Sequence, residues 1–449
     1  MSHDTSKRSP SNSPPEPPTL PLVGHTHQFL RRNPLKWFTE LNEEYESTVQ
    51  LRIAGQRLIL PTRPSDIERV LVSNNENYRK GGFQKRVTRS LLGDGLVLAE
   101  GEEWRTNRRA IEPAFYSQQI EKYRDVVRFH ARSVADEFSD GDVIDLEVEM
   151  KRLTLNIIVE VLFGVDLSTE SWELKPAFER ILAHFERISR TYIYLPEWIP
   201  TPENLAYRRA LNTLDTAVEE LVEQHRARGK ESLAVLGRLQ NSELTQNERP
   251  VRDEVVTLLV AGHETTALAL TFTGYLLATH QETQATLAKE VRELPVRTLL
   301  QRRGEYSVLD KVLKESLRLF PPVFGIFRQP TTDDSLSGYR VPAGSLVALN
   351  QWVVHRDPRW FDAPTEFHPE RWSIEFEREL SPGAYFPFAG GPRRCVGERF
   401  ALMEVKIVLS ELLKRFELRP ELRQPLEVVP SLTTQPATEI RISVHDRAE

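Results

Sequence analysis

The sequence predicts a mainly α-helical fold with small β-sheets, and three observations predict it. Long stretches of helical composition recur: Val251 to about His280, Val396 to Leu413, Lys311 to Phe320, and several patterns between Tyr116 and Asn241. Strand signals are short and come as hairpins around Gly or Pro bends. The composition, 39% hydrophobic and 28% charged, is that of a soluble globular protein. At 449 residues the chain is too long for one ordinary core, so two or three domains are the default expectation.

Met1 to about Pro18 is Ser, Pro and charge, which predicts a disordered tail at 1–18 ahead of the folded chain at 19–449. Pro14 to Gly24 reads as an extended lead into the fold. Asn33 to Tyr45 reads as the first amphipathic helix. Ser47–Ile53 and Arg57–Leu60, joined through Ala54-Gly55-Gln56, read as a hairpin. Pro64 to Asn74 is a short helix, and Gly81 to Gly95 is loop-like and basic. Gly101 opens a helix in which Trp104 and Arg108, four apart, share a face. Phe185 to Ile199 gathers Tyr192, Tyr194, Leu195 and Trp198, broken by Pro196 and Pro200. These aromatics suit either a mobile roof over a pocket or ordinary core.

The run from Val251 is introduced by Pro250, with Asp253 and Glu254 in its first turn, which is helix-start chemistry. It is apolar on most faces and therefore expected inside the protein. Its middle, Ala261-Gly262-His263-Glu264-Thr265-Thr266, breaks that logic. A mid-helix glycine costs ~1 kcal/mol, and a buried carboxylate and hydroxyls cost more unless bonded. Thr hydroxyls can bond back to the i−4 carbonyl and bend the helix. Expense inside a buried helix points to function. Lys311 to Phe320 is stopped by Pro321-Pro322. It carries Glu315 and Arg318, three apart among apolar neighbours, so the pair is expected to be buried and to need a further partner. Val323 to Arg328 reads as a strand, and Gly338–Leu349 and Ser431–Val444 as two more hairpins.

Cys395 is the only cysteine. One thiol makes no disulfide within the chain, and structural zinc or Fe–S sites usually need several. It lies in the Gly/Pro loop Phe388 to Gly397, just before the helix at Val396–Leu413, flanked by Arg393, Arg394 and Arg399. Helix dipole and cations both favour a thiolate there. Such a thiolate suits a nucleophile or a single axial metal ligand. The plainer possibility is a buried structural cysteine.

Phe388-x-x-Gly391-x-Arg393-x-Cys395-x-Gly397 resembles the haem-binding loop of the cytochrome P-450 superfamily, the haem-thiolate monooxygenases, at every fixed position. Ala261 to Thr266 resembles that family's oxygen-activation segment. Glu315-x-x-Arg318 with Arg371 resembles its Glu-Arg-Arg triad, Trp372 standing where Phe is commoner. Trp104-x-x-x-Arg108 resembles its propionate-holding pair. The resemblance overrides the default of two or three domains: it implies a single domain at 19–449, a helix-rich lobe and a smaller β-containing lobe around a buried haem b, with Cys395 on the iron. It implies that Phe388 packs on the ring, and that Arg393, Trp104, Arg108 and Arg328 meet propionates. Ala261 and Gly262 would leave room above the iron. Glu264 and Thr265 would deliver protons to bound dioxygen, and His263 would be structural. The triad would lock the cysteine loop. Val323, Phe324 and Leu432 would face a lipophilic substrate.

The expected reaction inserts one atom of O2 into that substrate. Its electrons would come from a ferredoxin or flavodoxin with its reductase. The alternatives are a cysteine hydrolase with Cys395 as nucleophile and a haem-thiolate peroxygenase or isomerase. Net charge is −6, which gives no reason to expect nucleic acid. The single cysteine, the polar Met1–Pro10 stretch and no run of ~18 apolar residues suggest a soluble cytoplasmic enzyme with no transmembrane anchor.

Overall fold

The structure is a computed structural model that describes residues 13–164, 174–191, 194–228, 235–240, 248–301, 305–421 and 425–447. Along the chain come Thr26–Arg31 (α1), Pro34–Tyr45 (α2), Val49–Ile53 (β1), Gln56–Leu60 (β2), Pro64–Glu68 (α3), Tyr78–Arg79 (β3), Gly82–Leu92 (α4), Gly101–Ile111 (α5) and Ser117–Glu137 (α6). Then follow Val143–Asp145 (β4), Leu146–Phe163 (α7), Leu174–Thr191 (α8), Pro202–Arg228 (α9), Val235–Gln240 (α10), Glu248–Thr279 (α11), Gln281–Glu293 (α12), Val296–Gln301 (α13) and Val308–Leu319 (α14). The last part holds Gly325–Pro330 (β5), Asp334–Leu336 (β6), Tyr339–Val341 (β7), Leu346–Asn350 (β8), Gln351–Val354 (α15), Ile374–Glu379 (α16) and Glu398–Arg415 (α17). It closes with Phe416–Pro420 (β9), Val428–Pro430 (β10), Thr434–Pro436 (β11) and Arg441–Asp446 (β12).

These elements form two compact units. One takes the described residues of Met1–Gln84 with Val323–Glu366 and Arg378–Cys395. Its five-stranded sheet has the order β1-β2-β8-β5-β3, and only the β2–β8 pair is parallel. Alternation along β2 sends Leu58 and Leu60 to a cluster with Trp37, Phe38 and Leu41 of α2. Ile59 goes to the opposite cluster with Ile67, Val70, Leu71 and Phe386. Pro14 to Pro18, expected within the disordered tail, lie along β1. Gln50 N–H donates to Pro15 O at 2.9 Å, and Glu16 pairs with Arg52 at 2.7 Å.

The other unit takes the described residues of Lys85–Pro322, Phe367–Glu377 and Val396–Glu449. It is helical, with a β4-β12-β9 sheet and the β10–β11 hairpin. Its spine is α11, which packs on α7, α17, α14 and α9. Val251–Thr279 is long and apolar enough to cross a membrane, with an 18-residue window of mean hydropathy 1.5, but 78% of that window is buried inside the fold. The sequence reading missed this run because Thr, Gly, His and Glu interrupt it.

Three other expectations change. Gly81–Gly95 is not a loop: α4 buries Val87, Leu91 and Leu92 on one face and ends at Gly93, whose φ of +53° stops it. The Gly338–Leu349 hairpin does not form. β7 pairs instead with β6, and β8 crosses to β2 and β5, where Val347 and Leu349 find a buried face. The third hairpin is β10–β11, turning at Ser431–Thr433; β12 leaves it to pair with β4 and β9.

Candidate active site

The cysteine loop is built in the sheet-bearing unit. Phe386 N–H donates to His355 Nε2 at 3.0 Å, and Gln351 donates to Phe386 O. Ala389 and Gly391 take φ of +61° and +65°, folding the chain back so that Cys395 N–H reaches Phe388 O at 2.9 Å. Glycine is required at 391 twice over: by its φ, and because a Cβ there would lie 2.0 Å from Leu71 O. Gly391–Arg393 is one 3₁₀ turn, and Cys395 follows it, exposed. Gly397 is the N-cap of α17, so the thiol sits just ahead of the helix rather than within it. Phe388 and Arg393 are half-buried in the same loop. On β5 of this unit Arg328 is buried and donates to Phe327 O, and Val323 and Phe324 just before it are half-buried.

In the helical unit α11 supplies the second group. Thr265 Oγ1 donates to Ala261 O at 2.6 Å, the i−4 bond expected. Ala261 is exposed and Thr265 half-buried on one face of the helix, with Val260 and Gly262 half-buried beside them and the residues on either side of this stretch buried. At Gly262 a Cβ would come within 3.1 Å of Ile158 Cδ1 on α7, so its small size also serves helix packing. His263 also turns to α7, its Nε2 3.0 Å from Lys151 O. Burial holds its pKa down at about 4, so the ring is neutral, as a structural histidine should be. Glu264 is 4% exposed, and Gln435 Nε2 donates to its Oε1 at 2.8 Å. Burial pushes the carboxyl above its ordinary range, and Lys151 and Gln435 only partly oppose that.

Glu315, Arg318 and Arg371 do come together. Arg318 grips Glu315 bidentately at 2.8 and 2.9 Å, both side chains fully buried, and Arg371 Nε adds a bond at 3.0 Å. Two further donors were not legible in the sequence. His368 N–H and the Trp372 indole each reach Glu315 at 2.9 Å. Trp372, the departure from the commoner Phe, is therefore a gain: it donates where a phenyl ring cannot. Burial alone would raise Glu315, but Arg318 and Arg371 outweigh it and hold the carboxyl below its usual range.

Trp104 and Arg108 lie half-buried on one face of α5, and Arg108 also reaches Glu112 at 3.5 Å. Leu432 sits half-buried at the turn between β10 and β11. In the Phe185–Ile199 stretch Phe185 is core and Trp198 is 77% exposed, while Tyr192 lies outside the described residues. Gln435 was missed by sequence reasoning.

Comparison with known proteins settles the class. The sequence profile of the cytochrome P-450 family matches residues 14–442. Cyclooctatin synthase of Streptomyces melanosporofaciens is 31% identical over 90% of this chain and 89% of its own. Cyclooctat-9-en-7-ol 5-monooxygenase of the same organism is 31% identical over 91% of this chain and 92% of its own. The crystal structure of the cytochrome P-450DA haem domain superposes with a TM-score of 0.87 at 28% identity, covering 97% of this chain and 98% of that one. The chain belongs to the cytochrome P-450 family. It has the fold of that family, its cofactor is haem b, and it is a haem-thiolate monooxygenase.

Proposed function

We propose that the chain oxygenates a lipophilic, mainly hydrocarbon molecule of terpenoid size, with Cys395 as its iron ligand. The observation that carries the ligand assignment is that a haem-thiolate enzyme needs one cysteinate, and this chain has one cysteine. The residues present fit the group: an exposed thiol on a tightly turned loop, and an exposed Ala261 with a half-buried Thr265 one turn on along a largely buried helix. When bound, the haem supplies the reduction of dioxygen and the transfer of oxygen to a C–H bond.

The chain's own groups do the rest. Cys395 would hold the group through its sulfur, and the turn at Gly391–Arg393 sets where that sulfur lies. Phe388 would pack against the ring. Arg393, Arg328, Trp104 and Arg108 would supply cations and an indole N–H for the propionates. The Glu315–Arg318–Arg371 lock holds the fold that retains the group. Thr265 Oγ1 offers a hydroxyl on the Ala261 face, and Glu264, whose carboxyl burial raises above its ordinary range, passes protons inward. Val323, Phe324 and Leu432 give apolar contacts to substrate. Its class is supported by the cyclic unsaturated skeletons in the names of the relatives, including pentalenene oxygenase of Streptomyces avermitilis. Electrons come from a ferredoxin or flavodoxin with its reductase.

The test is spectroscopic. Reduced, carbon monoxide-treated protein should show the strongly red-shifted Soret band of a thiolate haem, and Cys395→His should lose it. A Cys395→His protein that kept the band would overturn the assignment. A panel of terpenes, steroids and fatty acids, screened for the spectral shift on binding, then reads the substrate class.

A further inference from the structure

Glu264 does not stand alone. A small cavity of about 60 Å³ lies beside it, lined by Lys151, Phe185, Glu264, Leu432 and Gln435. With Ser431 the lining has four polar side chains, and a space of that size can hold more than one ordered water. Lys151 is 29% exposed along its side chain and pairs with Glu147 at 2.5 Å, so it forms the solvent edge of the cavity. On the other side, β11 fixes Gln435. Thr434, alternating with it, anchors the strand through Oγ1 to Pro321 O at 2.6 Å and through N–H to Pro322 O at 2.8 Å. Gln435 Nε2 then bonds Thr433 Oγ1 at 2.6 Å and Glu264 Oε1 at 2.8 Å.

The amide is thus held at both ends, by its strand and by Thr433, and can aim the carboxyl. A side chain pinned in this way is pre-organised for its partner. We infer that Gln435 is a positioning residue for proton delivery, holding the Glu264 carboxyl against the Lys151-edged cavity, which is the proton intake of the enzyme. The step balances simply: water in the cavity gives a proton to the Glu264 carboxylate and is reprotonated from solvent at the Lys151 edge. Glu264 passes its proton on and returns to the carboxylate. The inference rests on the reading of Glu264 as proton relay.

The test uses the full-length holoenzyme with three variants, Glu264→Gln, Gln435→Leu and the pair together. Infrared spectroscopy identifies the Glu264 carboxyl stretch as the band missing in Glu264→Gln. In Gln435→Leu that band should shift, because a donor is lost, while haem content and thermal midpoint stay parental. Oxygen consumption driven by a surrogate ferredoxin should fall about tenfold in Gln435→Leu, with a larger solvent deuterium isotope effect. The double variant should be no slower than Glu264→Gln, since both act on one step. If Glu264→Gln consumes oxygen at the parental rate with a parental isotope effect, the relay reading itself fails. If Glu264→Gln is slowed but Gln435→Leu keeps both the parental band and the parental rate, only the positioning role of Gln435 is overturned.

Discussion

Two glutamates lie in the interior of the helical unit, on α14 and α11, and the protein treats them in opposite ways. Glu315 is saturated: arginine, indole and backbone donors occupy both of its oxygens, and its carboxyl is held below the usual range. Among the described residues Glu264 has only neutral donors, the Gln435 amide and the Thr433 hydroxyl, with a small cavity beside it, and burial pushes it up. Nearly equal burial gives opposite proton affinities because the number and charge of the donors differ. The first arrangement makes a fixed ion that holds structure. The second raises the carboxyl's affinity for a proton. A third buried glutamate, Glu404 on α17, shows the limit: its Oε1 has no hydrogen-bond partner, and burial alone drives it well above the ordinary range.

The sharpest break of this contrast is Glu315→Gln. It leaves Arg318 buried without its counter-charge, a loss of about 3–5 kcal/mol. Urea unfolding should show it, with haem lost from the purified protein. Because the Glu315 carboxyl is lowered, its stabilising effect is full above about pH 4.5 and is lost as pH falls through its folded value. The variant and parent should therefore converge in acid.

Glu264→Gln should instead leave folding intact and slow oxygen-driven turnover by about 100-fold, the scale of a lost acid–base group. Steady-state oxygen uptake checks it. If it unfolds the protein as Glu315→Gln does, the two carboxylates are not the different devices described.

Glu404→Gln comes next in size and has the opposite sign. A raised carboxyl makes stability fall as pH climbs above 4.5 toward its folded value, because the folded state keeps the proton longer. Gln cannot ionise, so the variant should gain about 1–2 kcal/mol near neutral pH and nothing near pH 4, read by denaturant midpoints at both. The smallest effect is Trp372→Phe. It removes one donor of several around Glu315 and should cost about 1 kcal/mol with haem retained.

The functional chemistry was more legible in the sequence than the strand pairing. Residue identities at fixed spacing announced the cysteine loop, the α11 segment and the Glu315–Arg318 pair, because both members of each feature lie within one turn or one loop. Arg371 was reached only through resemblance. Trp372 and His368 N–H were not reached at all, since their bonds to Glu315 span more than fifty residues of chain. The β7 and β8 strands misled for the same reason: a Pro-Ala-Gly bend looks like a hairpin locally. What decides their partners is which apolar face each can bury, and β8 buries its own only between β2 and β5. In α4 the basic residues drew attention from the spacing of Val87, Leu91 and Leu92, which is helical.

The apolar length of α11 has a consequence for biogenesis. A nascent segment from Val251 to Thr279 has the length and hydropathy of a membrane span. Its main packing partner, α7, precedes it in the chain and is already synthesised when α11 emerges. That order gives the segment somewhere to fold before a bilayer competes for it, whereas a circular permutant that placed α7 last would deliver the same helix unaccompanied.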